Sequence, residues 1–259
     1  MRDYTYPPII VTLKTMFKAV GMKFQITGAH HIPRSGGAVI ASNHISYVDF
    51  IFNGLAAQPS KRLVRFMAKN DAFNHKISGP IMRSLHHISV DRAAGEKSLL
   101  DAIDYVRAGE VVGIFPEATI SRSMEIKELK TGAVRVAAEG GVPLIPMIVW
   151  GTQLLKTKDH PSDLWGRGKT IILKVGEPID VTGEDPVAET ALLKERLQAL
   201  LAEAIAEYPI GPEGQWWAPA SFGGAAPTPE EAKRLDQEEL AERAARRAAR
   251  EAEKNAENG

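Results

Sequence analysis

Residues 38–50 read AVIASNHISYVDF, and the rest of the chain can be interpreted outward from them. The stretch opens on an apolar run, Ala38–Ile40, and ends on apolar positions from Phe50 onward, with polar residues between. This order predicts a buried strand, a turn and then a helix. In open α/β sheets, functional groups gather beyond the carboxyl ends of the strands. The polar centre of this stretch is therefore a candidate site.

His44 and Asp49 lie in this polar centre, five residues apart. In contact they form a general base, because the carboxylate orients the imidazole and stabilises the charge that it gains with a proton. On one continuous helix they would diverge by about 140°, so His44 is expected in the turn and Asp49 in the first helical turn. Ser46 is predicted to be the N-cap, since Ser-x-x-Asp approximates a capping box. The alternative is that Asp49 only caps the helix and His44 is an ordinary turn residue.

The composition excludes several classes of function. The chain has 259 residues, of which 44% are hydrophobic and 25% charged, enough for one globular domain with extensions. Its formal net charge is zero, which argues against a nucleic-acid partner. It has no cysteine, so a thiol nucleophile, a thiolate metal site and a disulfide are excluded. No close helical pair of histidines accompanies an acidic neighbour, so no catalytic metal is expected.

Apolar runs alternate with helical patterns from about residue 38 to residue 205. This alternation predicts a mixed α/β fold with a largely parallel central sheet flanked by helices. The predicted strands are 38–42, 63–68, 87–90, 111–115, 144–149 and 171–175, and the predicted helices are 47–57, 77–85, 96–108, 131–139 and 188–207. His44, Asp91 and Glu117 each follow a predicted strand. Three segments are therefore expected to meet at one edge of the sheet.

The chain is divided into four segments: 1–34, an α/β domain at 35–208, a linker at 209–229 and a charged helical tail at 230–259. The first contains a predicted helix with one apolar face flanked by lysines, typical of an interfacial helix that lies in a membrane surface. An amphipathic helix packed on its own domain is the alternative. No uninterrupted apolar run predicts a signal peptide or a transmembrane helix.

The linker and the tail differ in their apolar content. The linker is rich in proline and glycine but carries Trp216, Trp217 and Phe222, which are expected to anchor it on the domain or, alternatively, in lipid headgroups. The tail has almost no large apolar residue. It is predicted to be a solvated helix supported by charge pairs, with contact to anionic lipid as the alternative.

Four segments resemble, in order, the motifs of the glycerophospholipid acyltransferase family, typified by the 1-acylglycerol-3-phosphate acyltransferases. The first is Asn43-His44-x-Ser46-x-x-Asp49. The others are HHISVDR at 86–92, FPEATISRS at 115–123 and VPLIP at 142–146. The resemblance spans roughly residues 35–180. It implies that His44 and Asp49 are catalytic and that five residues bind substrate: Arg92, Glu117, Thr119, Arg122 and Lys130.

The third motif departs from the family's usual F-P-E-G-T-R-S at two positions. Ala118 replaces the glycine, which predicts that this position needs no positive φ. Ile120 replaces an arginine that would contact phosphate, and Arg122, with Lys130 nearby, is the predicted substitute. Glu117 is expected to hold a glycerol hydroxyl for attack, or alternatively to tie down its loop. Arg92 would bind an anionic group through its guanidinium.

The resemblance implies a membrane-associated O-acyltransferase. It would transfer a fatty acyl group from an acyl-CoA or acyl-ACP thioester to a lysophospholipid hydroxyl, above all lysophosphatidic acid to give phosphatidic acid. No metal and no cofactor beyond the thioester cosubstrate are expected. The expected partners are these substrates and a phospholipid surface, without nucleic acid, at the cytoplasmic face of the cell membrane in a peripheral or monotopic attachment.

Three alternatives stay open. The acceptor could be another lysolipid or a glycolipid. The same histidine and aspartate could activate water in a thioesterase. The altered third motif is also compatible with a catalytically silent lipid-binding protein.

Overall fold

The computed structural model describes residues 3–76, 78–91 and 95–257 of the chain. Within them the strands are β1 Lys23–Thr27, β2 Ala38–Ser42, β3 Val64–Lys69, β4 Ile88–Val90, β5 Val111–Ile114, β6 Leu144–Trp150 and β7 Thr170–Val175. The α-helices are α1 Tyr6–Ala19, α2 Asp49–Ala56, α3 Asn70–Asn74, α4 Ser78–Ser84, α5 Gly95–Arg107, α6 Gly132–Gly140, α7 Pro186–Ala206 and α8 Pro229–Glu257.

The chain forms two compact units. The first comprises Met1–Ile120 and Ile126–Gly211 and contains β1 to β7. The second comprises Ser121–Glu125 and Pro212–Gly259 and contains α8. The loop of the third motif therefore divides between them, because Glu117 and Lys127 belong to the first unit and Arg122 to the second.

The strands form one sheet in the order β1-β7-β6-β2-β5-β3-β4. β6 and β7 pair antiparallel, and every other neighbouring pair is parallel. The predicted mixed, largely parallel α/β fold is confirmed. β2 lies at the middle of the sheet and is buried along its whole length. Its small and β-branched residues suit a strand that is covered on both faces.

The predicted strands and helices lie within two residues of the observed ones, except that residue 77 is outside the described residues. β1 and α3 were not predicted from the sequence. β1 alternates exposed and half-buried residues and pairs with β7, so part of the predicted N-terminal segment is built into the sheet. The predicted cap was wrong: the N-cap of α2 is Val48, which makes no side-chain cap bond.

The helix α1 packs on the first unit. Phe17 is buried and stacks on Phe52 of α2 with ring centroids 5.3 Å apart. The Tyr6 hydroxyl donates to the carbonyl of Val64 at 2.6 Å. Val11 is 64% exposed on the same helix. The interpretation as a helix packed on its own domain is supported by the buried side of α1. The interpretation as an interfacial helix is supported by the apolar side chain of Val11, which remains exposed to solvent.

The second unit carries the charged tail. Arg234 and Glu238 of α8 pair one helical turn apart at 2.6 Å, as expected for a helix supported by surface charges. In the preceding segment Trp217 is buried, whereas Trp216 is 36% exposed. Of these two tryptophans, Trp217 is therefore the anchor.

Candidate active site

His44 and Asp49 are in contact at the carboxyl end of β2. The His44 Nδ1 lies 2.9 Å from the Asp49 Oδ2. His44 lies in the turn between β2 and α2, and Asp49 is the first residue of α2, so the predicted placement is confirmed. The imidazole is 21% exposed, while the carboxylate is fully buried. With Nδ1 facing the carboxylate, the Nε2 atom is left as the basic position.

The Asp49 carboxylate accepts three further hydrogen bonds. Its Oδ2 accepts from the backbone N–H groups of Ile45 and Ser46, both at 2.8 Å. Its Oδ1 accepts from the Thr152 Oγ1 at 2.6 Å. A carboxylate surrounded by donors is stabilised as an anion and held in one orientation. Asp49 therefore fixes the turn that carries His44 as well as the imidazole itself.

Thr152 is a further polar partner of Asp49 that was not predicted from the sequence. It follows β6, which lies next to β2 and runs parallel to it, so its hydroxyl reaches the same edge of the sheet. A polar side chain just beyond the predicted strand 144–149 was the available signal.

Asn43 and Ser46 of the first motif hold the turn against β6 and the segment after it. The Asn43 amide donates to the carbonyl of Val149 at 3.0 Å and accepts from its N–H at 2.8 Å. The Ser46 hydroxyl donates to the carbonyl of Lys156 at 2.6 Å. These side chains replace backbone pairing where the strand ends, which explains why the motif needs an amide and a hydroxyl.

Glu117 ties the third motif to the first. Its Oε1 accepts from the backbone N–H of His44 at 2.9 Å, and its Oε2 accepts from the backbone N–H of Lys127 at 3.2 Å. The side chain is buried, and burial raises the pKa of Glu117 to about 8 against the opposing effect of these two donors. The geometry favours the loop-tying role over the predicted contact with a glycerol hydroxyl.

The raised pKa of Glu117 predicts how the free energy of unfolding changes with pH. Between its ordinary value of 4.5 and about 8, the folded protein retains a proton that the unfolded chain has lost. The free energy of unfolding should therefore fall as pH rises through this window, by at most about 1.4 kcal/mol per pH unit from this group. Urea unfolding from pH 5 to pH 8.5 should show a shallower fall in Glu117→Gln than in the wild type. Equal slopes would contradict the burial effect.

The His44 imidazole lies against an aromatic series. Its ring stacks on Phe115 with centroids 4.3 Å apart and planes at 22°. Phe115 in turn stacks on Phe66 at 6.0 Å. Phe66 also lines an apolar groove, whose other walls include residues of α1, α2 and β3: Ile9, Ile10, Leu13, Leu55 and Val64. An apolar surface thus extends from the imidazole to the groove beneath α1.

The third motif contradicts one expectation. Ala118 has a φ of 60°, in the left-handed region, and its N–H donates to the carbonyl of Phe115 at 3.0 Å. The turn needs this conformation whatever residue occupies it, so the expectation of no positive φ was wrong. Alanine adopts it at a cost of about 1 kcal/mol, which glycine would avoid.

The three cations predicted to bind phosphate differ in their surroundings. Arg92 lies outside the described residues. The Arg122 guanidinium is buried in the second unit, where it pairs with Asp236 and with Glu239, the latter at 3.0 Å. These carboxylates would have to release it before it could bind a phosphate. Lys130 is exposed, and its backbone N–H donates to the carbonyl of Pro116 at 3.0 Å.

Thr119 contacts a lysine that the sequence analysis did not select. The Lys127 Nζ donates to the Thr119 Oγ1 at 2.8 Å. Within the described part of the chain, no three His, Asp or Glu side chains are grouped so that they could hold a metal ion. The site thus contains the His44 imidazole with the Asp49 carboxylate, and the Lys127 ammonium group beside the Thr119 hydroxyl. Glu117 joins the two loops through their backbone N–H groups.

The chain is similar in sequence to known proteins. A sequence model of the family described as "Acyltransferase" matches residues 23–150. The 1-acyl-sn-glycerol-3-phosphate acyltransferase of Bacillus subtilis is 33% identical over 60% of this chain and 73% of its own length. The enzyme of that name from Borreliella burgdorferi is 27% identical over 65% of this chain and 66% of its own length.

The fold is similar to that of a solved structure. The crystal structure of the 1-acyl-sn-glycerophosphate acyltransferase PlsC from Thermotoga maritima superposes with a TM-score of 0.60. The match covers 81% of this chain and 86% of the other at 22% sequence identity. At 22% sequence identity, this similarity shows a shared fold alone.

Proposed function

Because this chain belongs to the 1-acylglycerol-3-phosphate acyltransferase family and is an enzyme of that class, we propose that it acylates lysophosphatidic acid to give phosphatidic acid. The proposed donor is a fatty acyl thioester of coenzyme A or acyl carrier protein. The observation that carries the proposal is the contact between the His44 Nδ1 and the Asp49 Oδ2 at 2.9 Å. It leaves a basic nitrogen on a partly exposed ring.

In the proposed mechanism the His44 Nε2 takes the proton of the acceptor hydroxyl. The oxygen attacks the thioester carbonyl carbon, and a C–O bond forms in a tetrahedral intermediate. The C–S bond then breaks, and the departing thiolate takes the proton from the imidazolium. Asp49 stabilises that imidazolium and holds its ring. The enzyme forms no covalent intermediate, so positioning of the two substrates supplies much of the acceleration.

The acyl chain is proposed to occupy the apolar groove beneath α1. The groove is lined mainly by aliphatic and aromatic side chains, and Phe66 and Phe115 connect it to the His44 ring. Each buried methylene of a chain contributes about 0.8 kcal/mol to binding. A chain placed there would hold its carbonyl carbon at the end of the groove nearest the imidazole.

We propose that the protein binds the cytoplasmic face of the cell membrane through α1. No described helix has both the length and the apolar content to cross a bilayer. Tyr4 and Val11 are 76% and 64% exposed, and Lys14 and Lys18 are exposed on the same segment. Apolar surface flanked by lysines supports a helix that lies in the headgroup region.

Val11→Ser is expected to weaken binding to phospholipid vesicles. Removing a valine that inserts into the headgroup region costs about 1.5 kcal/mol, which corresponds to roughly a tenfold lower partition coefficient. Co-sedimentation with phosphatidylcholine vesicles measures it. Thr15→Ser, on the same helix and also exposed, is the matched control and should bind as the wild type does. If both variants bind the vesicles equally well, α1 does not attach the protein to the membrane.

The experiment that tests the proposed function is a donor-by-acceptor panel with purified protein and mass-spectrometric detection of products. Acyl-CoA and acyl-ACP are each offered with lysophosphatidic acid, other lysophospholipids and glycolipids. Phosphatidic acid formed only when lysophosphatidic acid is present supports the proposal. Rapid release of free fatty acid without any acceptor would instead indicate a thioesterase that uses the same pair. If product forms only with a different acceptor, that acceptor and not lysophosphatidic acid is the substrate.

A further inference from the structure

Residues 163–167 (DLWGR), between β6 and β7, form a turn that we call the Trp165 turn. Leu164 and Trp165 are its two central residues, and the Gly166 N–H closes it by donating to the Asp163 carbonyl at 3.4 Å. Trp165 is 69% exposed and Leu164 is 38% exposed. Because tryptophan is highly buried on average, two adjacent large apolar side chains displayed at the centre of a turn need an explanation.

The Trp165 turn is fastened to the protein beneath it. The Asp163 N–H donates to the Leu155 carbonyl at 2.7 Å. The Lys169 Nζ donates to the Asp163 carbonyl at 2.6 Å and pairs with its carboxylate at 2.7 Å. A Cβ at Gly166 would lie 2.3 Å from the Asp163 Oδ2, so a side chain there would displace this ion pair. The exposed apolar residues are therefore presented by a built structure.

The turn is joined to the C-terminal end of α1. The Gly168 N–H donates to the carbonyl of Val20, the residue that follows α1, at 3.0 Å. The Lys23 N–H donates to the Lys169 carbonyl at 2.8 Å. Since α1 is the helix proposed above to lie in the headgroup region, the Trp165 turn continues the same surface.

The segment that carries the turn is also attached to the catalytic turn. The Ser46 hydroxyl and the Tyr47 N–H both donate to the Lys156 carbonyl, at 2.6 Å and 3.1 Å. His44 lies just before these residues, in the turn between β2 and α2. Residues 156–168 therefore connect the edge of the sheet that carries the catalytic pair with the end of α1.

Cations flank the exposed apolar side chains. Lys23 and Arg167 are exposed, and they line one surface pocket together with Ile210, which is 53% exposed. Within residues 3–76, 78–91 and 95–257, no carboxylate forms an ion pair with either cation. Tryptophan suits the boundary between headgroups and acyl chains, and exposed cations are attracted to the anionic lipids there. A phospholipid surface matches both the apolar and the charged groups.

We propose that the Trp165 turn is a second membrane contact. Leu164 and Trp165 enter the headgroup region of a phospholipid bilayer, and Lys23 and Arg167 bind its anionic lipids. This inference deepens the membrane attachment proposed above and rests on it. Two contacts fix the orientation of the protein on the bilayer, and the segment between the second contact and His44 holds the catalytic edge of the sheet towards the lipid from which the acceptor arrives.

Co-sedimentation with vesicles tests the proposal without either substrate, so the result does not depend on which acceptor is acylated. Trp165→Ser should lower the partition coefficient on phosphatidylcholine vesicles about tenfold, since it removes the largest apolar side chain of the turn. Trp165→Tyr keeps an amphipathic ring and should stay within a few-fold of the wild type. Leu100→Ser, which removes an exposed leucine of α5, is the matched control and should bind as the wild type does.

Two further measurements separate lipid contact from a change in folding. Arg167→Gln should weaken binding about fivefold on vesicles that contain phosphatidylglycerol and leave binding to phosphatidylcholine alone unchanged. Phosphatidylcholine brominated on its acyl chains quenches tryptophans that enter the bilayer. It should therefore quench the fluorescence of the wild type more than that of Trp165→Phe.

Each outcome supports or overturns the second contact. Wild-type binding by Trp165→Ser would overturn it, and so would an equal loss in Leu100→Ser or equal quenching of the wild type and Trp165→Phe. Self-association without lipid that Trp165→Ser abolishes, with vesicle binding unchanged, would make the turn an interface between two copies and overturn it too.

The second contact, the α1 contact and the proposed reaction can fail separately. A defect in Trp165→Ser with normal binding by Val11→Ser supports the second contact and refutes attachment through α1. A wild-type protein that binds no vesicles refutes both contacts. A wild-type protein that binds vesicles through the Trp165 turn but acylates no lysophosphatidic acid refutes the proposed reaction alone.

Discussion

Replacing His44 by alanine is expected to lower the rate of acyl transfer by about 10³-fold, within the 10²–10⁴-fold range of general base catalysis. In the proposed mechanism the imidazole takes the hydroxyl proton, and its Nδ1 is held by the Asp49 carboxylate. The effect should appear in kcat, because the ring acts on the proton as the C–O bond forms. Transfer of a radiolabelled acyl group from acyl-CoA to lysophosphatidic acid measures it at saturating substrate.

His30→Ala is the matched control, since His30 is an exposed histidine between β1 and β2. It should retain wild-type turnover. The folded state of His44→Ala is checked by its thermal unfolding, which should remain cooperative because the lost ring is partly exposed and the backbone N–H that donates to Glu117 is retained. A folded His44→Ala variant that turns over near the wild-type rate would refute the assignment of the base.

Asp49→Asn is expected to cost about 10³–10⁴-fold in rate, the size of effect that follows when the acid behind a catalytic histidine is neutralised. The amide cannot stabilise the imidazolium. Its NH₂ group must also face either the N–H groups of Ile45 and Ser46 or the hydroxyl of Thr152. Facing the two N–H groups, the NH₂ group sets donor against donor; facing Thr152, it can donate to the hydroxyl oxygen, but the hydroxyl proton then loses the carboxylate as its acceptor. In either orientation a buried donor loses its acceptor, so the free energy of unfolding should fall by about 1–3 kcal/mol.

Thr152→Val separates the two effects of Asp49. It removes one hydroxyl donor and keeps the charge and the contact with His44. Its turnover should fall far less than that of Asp49→Asn, while its stability falls by a comparable amount. Activity is measured as above and stability by urea unfolding. If folded Asp49→Asn retains more than about a tenth of the wild-type rate, Asp49 only holds the turn before α2 and the catalytic interpretation fails.

The contact between His44 and Asp49 could be deduced from sequence because it is local. The two residues are five positions apart, and a strand followed by a helix leaves one arrangement in which their side chains meet. The central strand was equally clear, since a short apolar run between polar turns predicts a covered strand. β1 was missed because an edge strand with one half-buried face is short and weakly patterned.

The partners of these residues could not be deduced in the same way. Thr152 reaches Asp49 from 103 residues away, and Glu117 reaches His44 from 73 residues away. Their contacts depend on the order of β6, β2 and β5 in the sheet, which local patterns do not specify. The positive φ of Ala118 likewise belongs to the turn and not to the residue type found there.

The sequence alone predicts the α/β class, the contact between His44 and Asp49 and the family. Each of these predictions uses short patterns, whose residues lie only a few positions apart in the chain. Charge partners are established by folding alone. Arg122 belongs to the third motif in sequence, yet its guanidinium pairs with Asp236 and Glu239 of α8, 114 and 117 residues away. The sequence could not show this pairing, because opposite charges interact through space and not along the chain.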